Sequence, residues 1–299
     1  MWVIYALGGG WGHLTRACAL ARAHPARIIS NSPHAEMVGG EFDVLRVETR
    51  EDALREVRAA DAECLIVDTF PRGLGGELAG ELSSLPGLKV LIHRDLNPRY
   101  VESAGLHDFV ASHYDLVLVA GEGEGEAFGD LPLAQTTAPW LIRSSSEIAV
   151  SAEQFVYVCA AGKPEEANWY AAVSTGLREA GVTVRDDRVW PAMEIYASAA
   201  LVVGGGGYNT VNECLALGVP LVARAWPRKY DRQNLRLERA AQRGIVSSVS
   251  TVDEAVRAAI ELWNEPVLRA ATLPAYRNGV WDAVRLIQER LVRDVYLPS

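Results

Sequence analysis

The chain has 299 residues, which is enough for two domains that each bury a hydrophobic core. Hydrophobic residues make up 49% of it and charged residues 22%, as in globular rather than disordered proteins. The net charge of −9 argues against a protein that binds nucleic acid by bulk electrostatic attraction.

No basic leader with a cleavage site precedes the first apolar run, and no run approaches the roughly 18 residues of a transmembrane helix. The sequence therefore predicts a cytoplasmic protein without a transmembrane segment, and it leaves open a peripheral position on the inner face of the membrane. The four cysteines are far apart and form no CxxC pair. We expect them to be reduced core residues, and we expect no metal site.

Short apolar runs alternate with helical patterns along the chain, which is typical of βαβ units around a parallel sheet. The strands predicted in the first half are Trp2–Leu7, Ala26–Ser30, Phe42–Val47, Cys64–Val67, Leu88–Ile92 and Leu116–Ala120. After an irregular Pro/Thr stretch and a linker at Arg143–Ser146, the predicted strands are Phe155–Ala161, Val182–Arg185, Leu201–Val203, Pro220–Ala223 and Val246–Val249. We expect two doubly wound, Rossmann-like α/β domains facing a cleft, residues 1–143 and 144–299.

The last predicted helix spans about residues 280–295. It carries an apolar stripe at helical spacing, formed by Trp281, Val284, Ile287 and Leu291. Such a stripe must pack on another element, and the first domain is a candidate for it.

A glycine-rich turn, Gly8–Gly10 followed by Trp11, Gly12 and His13, joins the first strand to the first helix. It does not fit the dinucleotide pattern G-x-G-x-x-G, because His13 stands where the third glycine belongs. No P-loop lysine motif is present either. Ligands of such folds bind at this edge of the sheet, so His13 is a candidate general base. The alternative is a structural histidine that caps the turn.

A second glycine-rich turn occupies Leu201–Pro220, where an apolar strand leads through four glycines into a helix. We expect the helix to begin at Asn209-Thr210, with Glu213 on its first turn. Glycines let a ligand approach the backbone, and the N–H groups of a helix N-terminus suit an anion such as a diphosphate. Ten residues further on, Tyr230–Asn234 places several polar side chains at the next loop-to-helix junction.

Together these two motifs resemble a known family. GGGWGHLTRACALA is similar to the amino-terminal glycine motif of GT-B glycosyltransferases related to the enzyme that adds N-acetylglucosamine in peptidoglycan synthesis. GGGGYNTVNECLALGVPLV, followed by KYDRQNLRLERAAQRG, is similar to the donor-binding signature of that group. The resemblance implies a nucleotide sugar held mainly by the second domain, an acceptor held by the first, and no required metal or other cofactor.

The resemblance also implies roles for individual residues of the second domain. Glu213 matches the glutamate that grips both ribose hydroxyls, although a first-turn glutamate favoured by the helix dipole is the alternative. Asp231 matches a residue that reads the donor sugar, and it is also a candidate helix N-cap. The other donor-binding positions implied are Gly10, Gly12, Val189, Trp190, Gly205, Gly206, Gly207, Tyr208, Asn209, Thr210, Gln233 and Asn234. Trp190 stacks on the base or else belongs to the core.

Charge on the departing diphosphate requires a cation, and Arg143 is the catalytic candidate beside His13, unless it is an ordinary solvated linker charge. In the first domain, Asp68, His93 and Asp95 follow strand ends and are acceptor-side candidates, or else loop and helix caps. Trp11 is bulky and is expected to narrow the acceptor side of the cleft.

The sequence thus predicts a metal-independent hexosyl- or N-acetylhexosaminyltransferase, inverting, that uses a UDP- or dTDP-linked sugar. The acceptor is a small molecule or a glycan, with a lipid-linked acceptor left open, and no nucleic acid is involved. Two alternatives stay open: a sugar-nucleotide epimerase of the same fold, and a catalytically silent partner protein that binds the nucleotide sugar.

Overall fold

The computed structural model describes residues 1–121, 127–149, 154–159, 163–264 and 276–296. The chain divides into two compact units. The first comprises Met1–Ile142 together with the chain from Asn278 onward, and the second comprises Arg143–Arg277. Along the described ranges, no helix is both long enough and apolar enough to cross a membrane.

The first unit is built on a parallel sheet of seven strands in the order β3-β2-β1-β4-β5-β6-β7. These strands are β1 Trp2–Tyr5, β2 Ala26–Ser30, β3 Val44–Arg46, β4 Cys64–Asp68, β5 Leu88–His93, β6 Leu116–Ala120 and β7 Ala134–Thr137. Every residue of β1 and β4 is buried, because helices cover both faces of a doubly wound sheet. The chain leaves β1 for β2 and β3 and then returns to β4, so the strand order reverses between β1 and β4. Ligands of such sheets bind at the carboxyl ends of the strands at this point.

The second unit has a parallel sheet of five strands in the order β12-β11-β10-β8-β9. These strands are β8 Val156–Val158, β9 Val184–Arg185, β10 Leu201–Gly205, β11 Leu221–Arg224 and β12 Val246–Val249. The order reverses between β8 and β10, which places the turn after β10 at the equivalent point of the second sheet.

Helices connect the strands of both sheets. In chain order they are α1 Trp11–Ala23, α2 Ala35–Val38, α3 Arg50–Ala59, α4 Pro98–Ser103, α5 Leu106–His113, α6 Pro164–Glu179, α7 Ala192–Ser198, α8 Tyr208–Leu217, α9 Gln233–Ala241, α10 Val252–Asn264 and α11 Val280–Tyr296. Strand β7 was not predicted. Strand β7 reads AQTT and lies at the sheet edge, so it lacks the apolar run that marks the buried strands. The helix α7 was missed as well, and the last two residues of the predicted strand Phe155–Ala161 lie outside the described ranges.

Helix α11 packs on α1, β5, β6 and β7 of the first unit. Its buried face is formed by Val280, Ala283, Val284 and Ile287. The predicted stripe was therefore wrong at Trp281, whose side chain is 58% exposed. Ala283 lies on the buried face, where its small side chain lets the helix approach the sheet closely. A stripe drawn through large apolar residues does not include it.

Candidate functional site

In the first unit, the structure brings His13 and Asp68 together. His13 lies in the first turns of α1, after β1, and Asp68 is the last residue of the neighbouring strand β4. The Nδ1 atom of His13 is 2.7 Å from Oδ2 of Asp68. An ionised carboxylate only accepts hydrogen bonds, so Nδ1 carries the proton and Nε2 keeps its lone pair.

A third side chain, Arg16, completes this cluster. Its Nε and one terminal nitrogen donate to the two oxygens of Asp68 over 3.1 and 2.8 Å, and the same nitrogen donates to the hydroxyl of Thr69 over 3.2 Å. Arg16 is 1% exposed and Asp68 is 1% exposed. Arg16 was not among the predicted site residues, although it stands three residues after His13 and so shares a face of α1 with it.

Burial and charge set the protonation of the cluster. Burial lowers the pKa of His13; Asp68 acts to raise it, while Arg16 and Arg94 lower it further, and the net direction is downward. For Asp68, burial acts to raise the pKa, but Arg16 and His13 outweigh it and hold the pKa of this carboxyl well below its usual range. The site therefore holds an ionised Asp68 beside a neutral imidazole at neutral pH, which is the protonation state a general base requires.

The glycine turn before α1 fits closely around the histidine. A Cβ atom at Gly8 would lie 2.1 Å from Cδ2 of His13, so a larger residue there would displace the ring. The N–H groups of Gly8 and Gly9 both donate to the side-chain oxygen of Asn31, over 2.9 and 3.0 Å. Gly10 is the N-cap of α1 and Gly12 lies in its first turn. Their donor-binding role stays a prediction.

The other acceptor-side candidates surround the same sheet edge. His93 is the last residue of β5, is completely buried, and packs edge-on against Phe128 with 4.7 Å between ring centroids. Asp95 is 8% exposed and has a left-handed backbone with φ of 44°. Trp11 stacks on His34 with ring centroids 4.1 Å apart. His93 follows Ile92, which pairs in register with Asp68, so these groups lie within the edge that carries the His13 cluster.

In the second unit, the glycine turn after β10 leads into α8, which begins at Tyr208, slightly earlier than predicted. A Cβ atom at Gly205 would lie 3.1 Å from the hydroxyl of Tyr170, so this turn packs tightly on the residues behind it. Gly207 is the N-cap, and no described side chain caps the first turn. The first N–H groups of α8 therefore have no side-chain acceptor among the described residues, and their role as an anion site stays a prediction. The buried Oδ1 of Asn209 also has no hydrogen-bond partner within the described part of the chain.

Glu213 lies in the second turn of α8, not in the first turn as predicted, because the helix begins at Tyr208. The helix-dipole alternative loses its basis, since that effect is confined to the first turn. Glu213 is 4% exposed, and burial raises the pKa of its carboxyl to about 8. The described residues offer this carboxyl no hydrogen bond and no ion pair. A buried carboxyl without a partner among the described residues is suited to accept hydrogen bonds from a ligand.

Asp231 is not a helix N-cap, because α9 begins at Gln233 with Arg232 as its N-cap. Asp231 pairs instead with Arg236 over 2.6 Å, and Arg236 also donates to the carbonyl oxygen of Gly206 over 2.8 Å. Arg236 thus ties the polar loop to the glycine turn. Arg236 was not among the predicted site residues, although it lies on the first turn of α9.

Gln233 also belongs to this network. Its side-chain oxygen accepts from the N–H of Trp226 over 2.9 Å, and its amide nitrogen donates to Asp231 over 3.3 Å. Asn234, in contrast, is exposed. Of the three polar residues predicted to read the donor sugar, Asp231 and Gln233 hold the loop in place in this structure, whereas Asn234 faces solvent.

The remaining second-unit candidates lie in loops. Val189 is partly buried against the core, and Trp190 is partly buried, so base stacking and the core alternative for Trp190 both stay predictions. Arg143 forms an ion pair with Glu194 over 3.2 Å, with its side chain 27% exposed. Within the described ranges, no group of three His, Cys, Asp or Glu side chains is placed to hold a metal ion. The roles of these residues and independence of metal stay predictions.

Each sheet has a glycine turn at the point where its strand order reverses. With these strand orders, the chain has the GT-B fold of glycosyltransferases. It matches the structure of the glycosyltransferase of kitacinnamycin with a TM-score of 0.64 and 15% identity, over 97% of this chain and 98% of that chain. The fold prediction of two Rossmann-like α/β domains is confirmed.

Two further structures are similar over nearly the whole chain. MurG of Acinetobacter baumannii gives a TM-score of 0.59 and 13% identity, over 96% of this chain and 99% of that chain. The glycosyltransferase VinC, crystallised with dTDP, gives a TM-score of 0.59 and 17% identity, over 98% of this chain and 100% of that chain. The resemblance inferred from the two motifs is thus confirmed at the level of fold. No family model and no curated protein matches the sequence.

Proposed function

We propose that this protein is an inverting glycosyltransferase that moves a hexosyl or N-acetylhexosaminyl group from a UDP- or dTDP-linked sugar to an acceptor hydroxyl. The observation that carries the proposal is the buried pair of His13 and Asp68, which leaves a neutral imidazole with its Nε2 lone pair available. The GT-B fold, and the dTDP bound to VinC, support a nucleotide sugar as the donor.

In the proposed reaction, Nε2 of His13 takes the proton of the acceptor hydroxyl as its oxygen attacks the anomeric carbon. The bond from that carbon to the diphosphate breaks on the opposite face, and the diphosphate leaves with the electron pair. Asp68 stabilises the imidazolium that forms. The N–H groups at the start of α8 stabilise the leaving group, and Arg143 adds positive charge once it exchanges Glu194 for the diphosphate.

For the donor, Glu213 accepts hydrogen bonds from the two ribose hydroxyls, which gives its buried carboxyl the partners that the described residues do not supply. The backbone of Val189 pairs with the base and Trp190 stacks on it. Asn234 contacts the sugar directly. Asp231 and Gln233 act by holding the loop against the glycine turn, since their side chains already bond to Arg236, Trp226 and each other.

For the acceptor, the first unit offers a cavity of about 210 Å³ lined by Phe70, Leu74, Tyr100 and Leu106, among others. Phe70 also stacks on His13 with ring centroids 5.6 Å apart, so the cavity adjoins the proposed base. A ring-sized acceptor fits this volume, and the lipid-linked acceptor remains an alternative. Trp11, His93 and Asp95 are the further acceptor-side residues we propose.

The test is a panel of nucleoside diphosphates and nucleotide sugars, followed by thermal shift and by product analysis. Transfer predicts slow release of diphosphate and a free sugar when water replaces the acceptor. An isomerised sugar would instead identify an epimerase, and binding without turnover would identify a silent partner protein. We expect His13→Ala to lose turnover while it keeps nucleotide affinity.

Nucleotide affinity itself tests the donor site. We expect Glu213→Ala to weaken UDP or dTDP binding, measured by calorimetry, because the hydrogen bonds between the ribose hydroxyls and the buried carboxyl group are lost. The matched control is Glu179→Ala, which removes an exposed glutamate at the end of α6 and should leave affinity unchanged. Equal affinity in the Glu213 variant and the wild-type protein would contradict the assigned ribose contact.

A further inference from the structure

The positively charged guanidinium of Arg16 is buried, and burial of a charge costs solvation free energy. Arg16 lies on α1 three residues after His13, and its side chain is 1% exposed. A guanidinium that leaves water loses several kcal/mol of solvation unless an anion and hydrogen-bond acceptors replace the solvent. Asp68 supplies that compensation, since both of its oxygens accept from Arg16. A purely structural role would be filled as well by apolar residues of similar volume, so the buried charge calls for a separate explanation.

The contacts of Arg16 fix the carboxylate that orients the histidine. Asp68 accepts two bonds from Arg16, one from Thr69 and one from His13. Arg16 also bonds the hydroxyl of Thr69, whose backbone is left-handed with φ of 73°. A β-branched residue rarely adopts that conformation, and it persists where the surroundings enforce it. Arg16 therefore constrains both the carboxylate plane and the chain that follows it.

We propose that Arg16 is a positioning residue that, through Asp68, holds His13 as an oriented and neutral base. A histidine beside an unbalanced buried aspartate would be stabilised as imidazolium and would keep its proton. With Arg16 in place, the Asp68 charge is balanced, and Asp68 orients the ring without making it charged. The inference rests on the proposed function only in that His13 acts as the base.

The charges that act on His13 come from three elements. They are Asp68 at the end of β4, Arg16 on α1 and Arg94 in the loop after β5. Asp68 raises the pKa of His13, while Arg16 and Arg94 lower it in addition to the effect of burial. When Arg16 is removed, Arg94 is the remaining charge among the described residues that opposes the effect of Asp68, so the pKa of His13 must rise.

The experiment is an NMR titration of the His13 ring in the full-length protein, free of any substrate. We expect Arg16→Met to raise the pKa of His13 by about 1 to 2 units, the usual effect of a removed charge at this range. The matched control is Arg22→Met, which removes an exposed arginine of the same helix that pairs with Glu41. The control should leave the pKa unchanged. An unchanged pKa in a folded Arg16→Met protein would overturn the proposal.

Two more variants keep the test decisive if Arg16→Met does not fold. Arg16→Lys keeps the positive charge but loses the planar guanidinium that bonds both oxygens of Asp68. We therefore expect the pKa of His13 to stay at its wild-type value while the turnover rate falls at least tenfold. A wild-type turnover rate in Arg16→Lys would show that the guanidinium geometry of Arg16 has no positioning role. In Arg16→Met with Asp68→Asn, both charges are removed, and the pKa of His13 should return to the wild-type value or below. A raised pKa in this double variant would overturn the proposal.

Activity separates this inference from the proposed function. If the titration behaves as expected and no nucleotide sugar turns over, then Arg16 controls His13 but the glycosyltransferase assignment fails. If sugar transfer is found and the titration shows no shift, then the assignment stands and the role of Arg16 fails. If sugar transfer and the expected titration are both found, the acid limb of the pH profile of kcat/KM should shift to higher pH in Arg16→Met, in step with the pKa of His13 measured by NMR.

Discussion

The buried carboxyl of Glu213 makes the stability of the second unit depend on pH. Its pKa is about 8 in the folded protein, raised by burial from its ordinary value of 4.5. Between these two values the folded protein holds a proton that the unfolded chain releases. Stability contributed at this site therefore falls as pH rises from 4.5 to 8, and is constant below 4.5.

Glu213→Gln removes this dependence, because an amide of similar shape replaces the protonated carboxyl and does not titrate. Each pH unit above 4.5 costs the wild-type protein about 1.4 kcal/mol, which amounts to about 3 kcal/mol at pH 7. At roughly 2 to 4 °C per kcal/mol, the variant should melt several degrees above the wild-type protein at pH 7. The gain should vanish near pH 4.5.

The assay is thermal unfolding of ligand-free protein in a series of buffers from pH 4.5 to 8. Glu166→Gln is the control, because Glu166 is 2% exposed and accepts two short bonds from Arg228. That change leaves the Arg228 guanidinium without its carboxylate and should lower the melting temperature instead. A difference between Glu213→Gln and wild-type protein that does not grow with pH would refute the reasoning.

Three further outcomes are expected. Gly8→Ala should lose turnover and keep nucleotide binding, because its Cβ would displace the ring of His13. Gly40→Ala, whose Cβ would meet no described atom within 4 Å, should keep both in the same two assays. His13→Gln should reduce kcat by about 10²- to 10⁴-fold and remove the acid limb of the pH–rate profile. Asp231→Asn should destabilise the second unit by about 3 kcal/mol in denaturant titration, since Arg236 loses its carboxylate; replacing both residues by apolar ones should cost less.

Much of the fold could be predicted because buried parallel strands are continuous apolar runs. Ala26–Ser30 and Leu116–Ala120 were predicted with the bounds that the structure has, and both end in fully buried residues. Strand β7 could not be found this way, since an exposed edge strand is defined by its pairing with β6 rather than by its own composition. The buried face of α11 was misplaced for a related reason. Helical spacing in the sequence allows more than one apolar stripe on a helix. The surface on which the helix packs decides which of these stripes is buried.

The candidate site was predicted in part. His13 was chosen from its position after the first glycine turn and Asp68 from its position at a strand end. Their contact over 2.7 Å became visible only when α1 and β4 were placed side by side. Arg16 looked like an ordinary helix residue. A charged residue carries no sign in the sequence that it is buried, so its pairing could not be anticipated.

The sequence by itself determined the two α/β domains, the two glycine turns and the histidine and glutamate that follow them. Local chain chemistry is sufficient for this, because glycine, apolar runs and helix starts act over a few residues. The tertiary structure decided which charges are balanced. It placed Arg16 against Asp68, and Arg236 against Asp231, and it left Glu213 buried without a described partner. Burial and partners depend on contacts between distant segments, and these are what shift the protonation of a buried group.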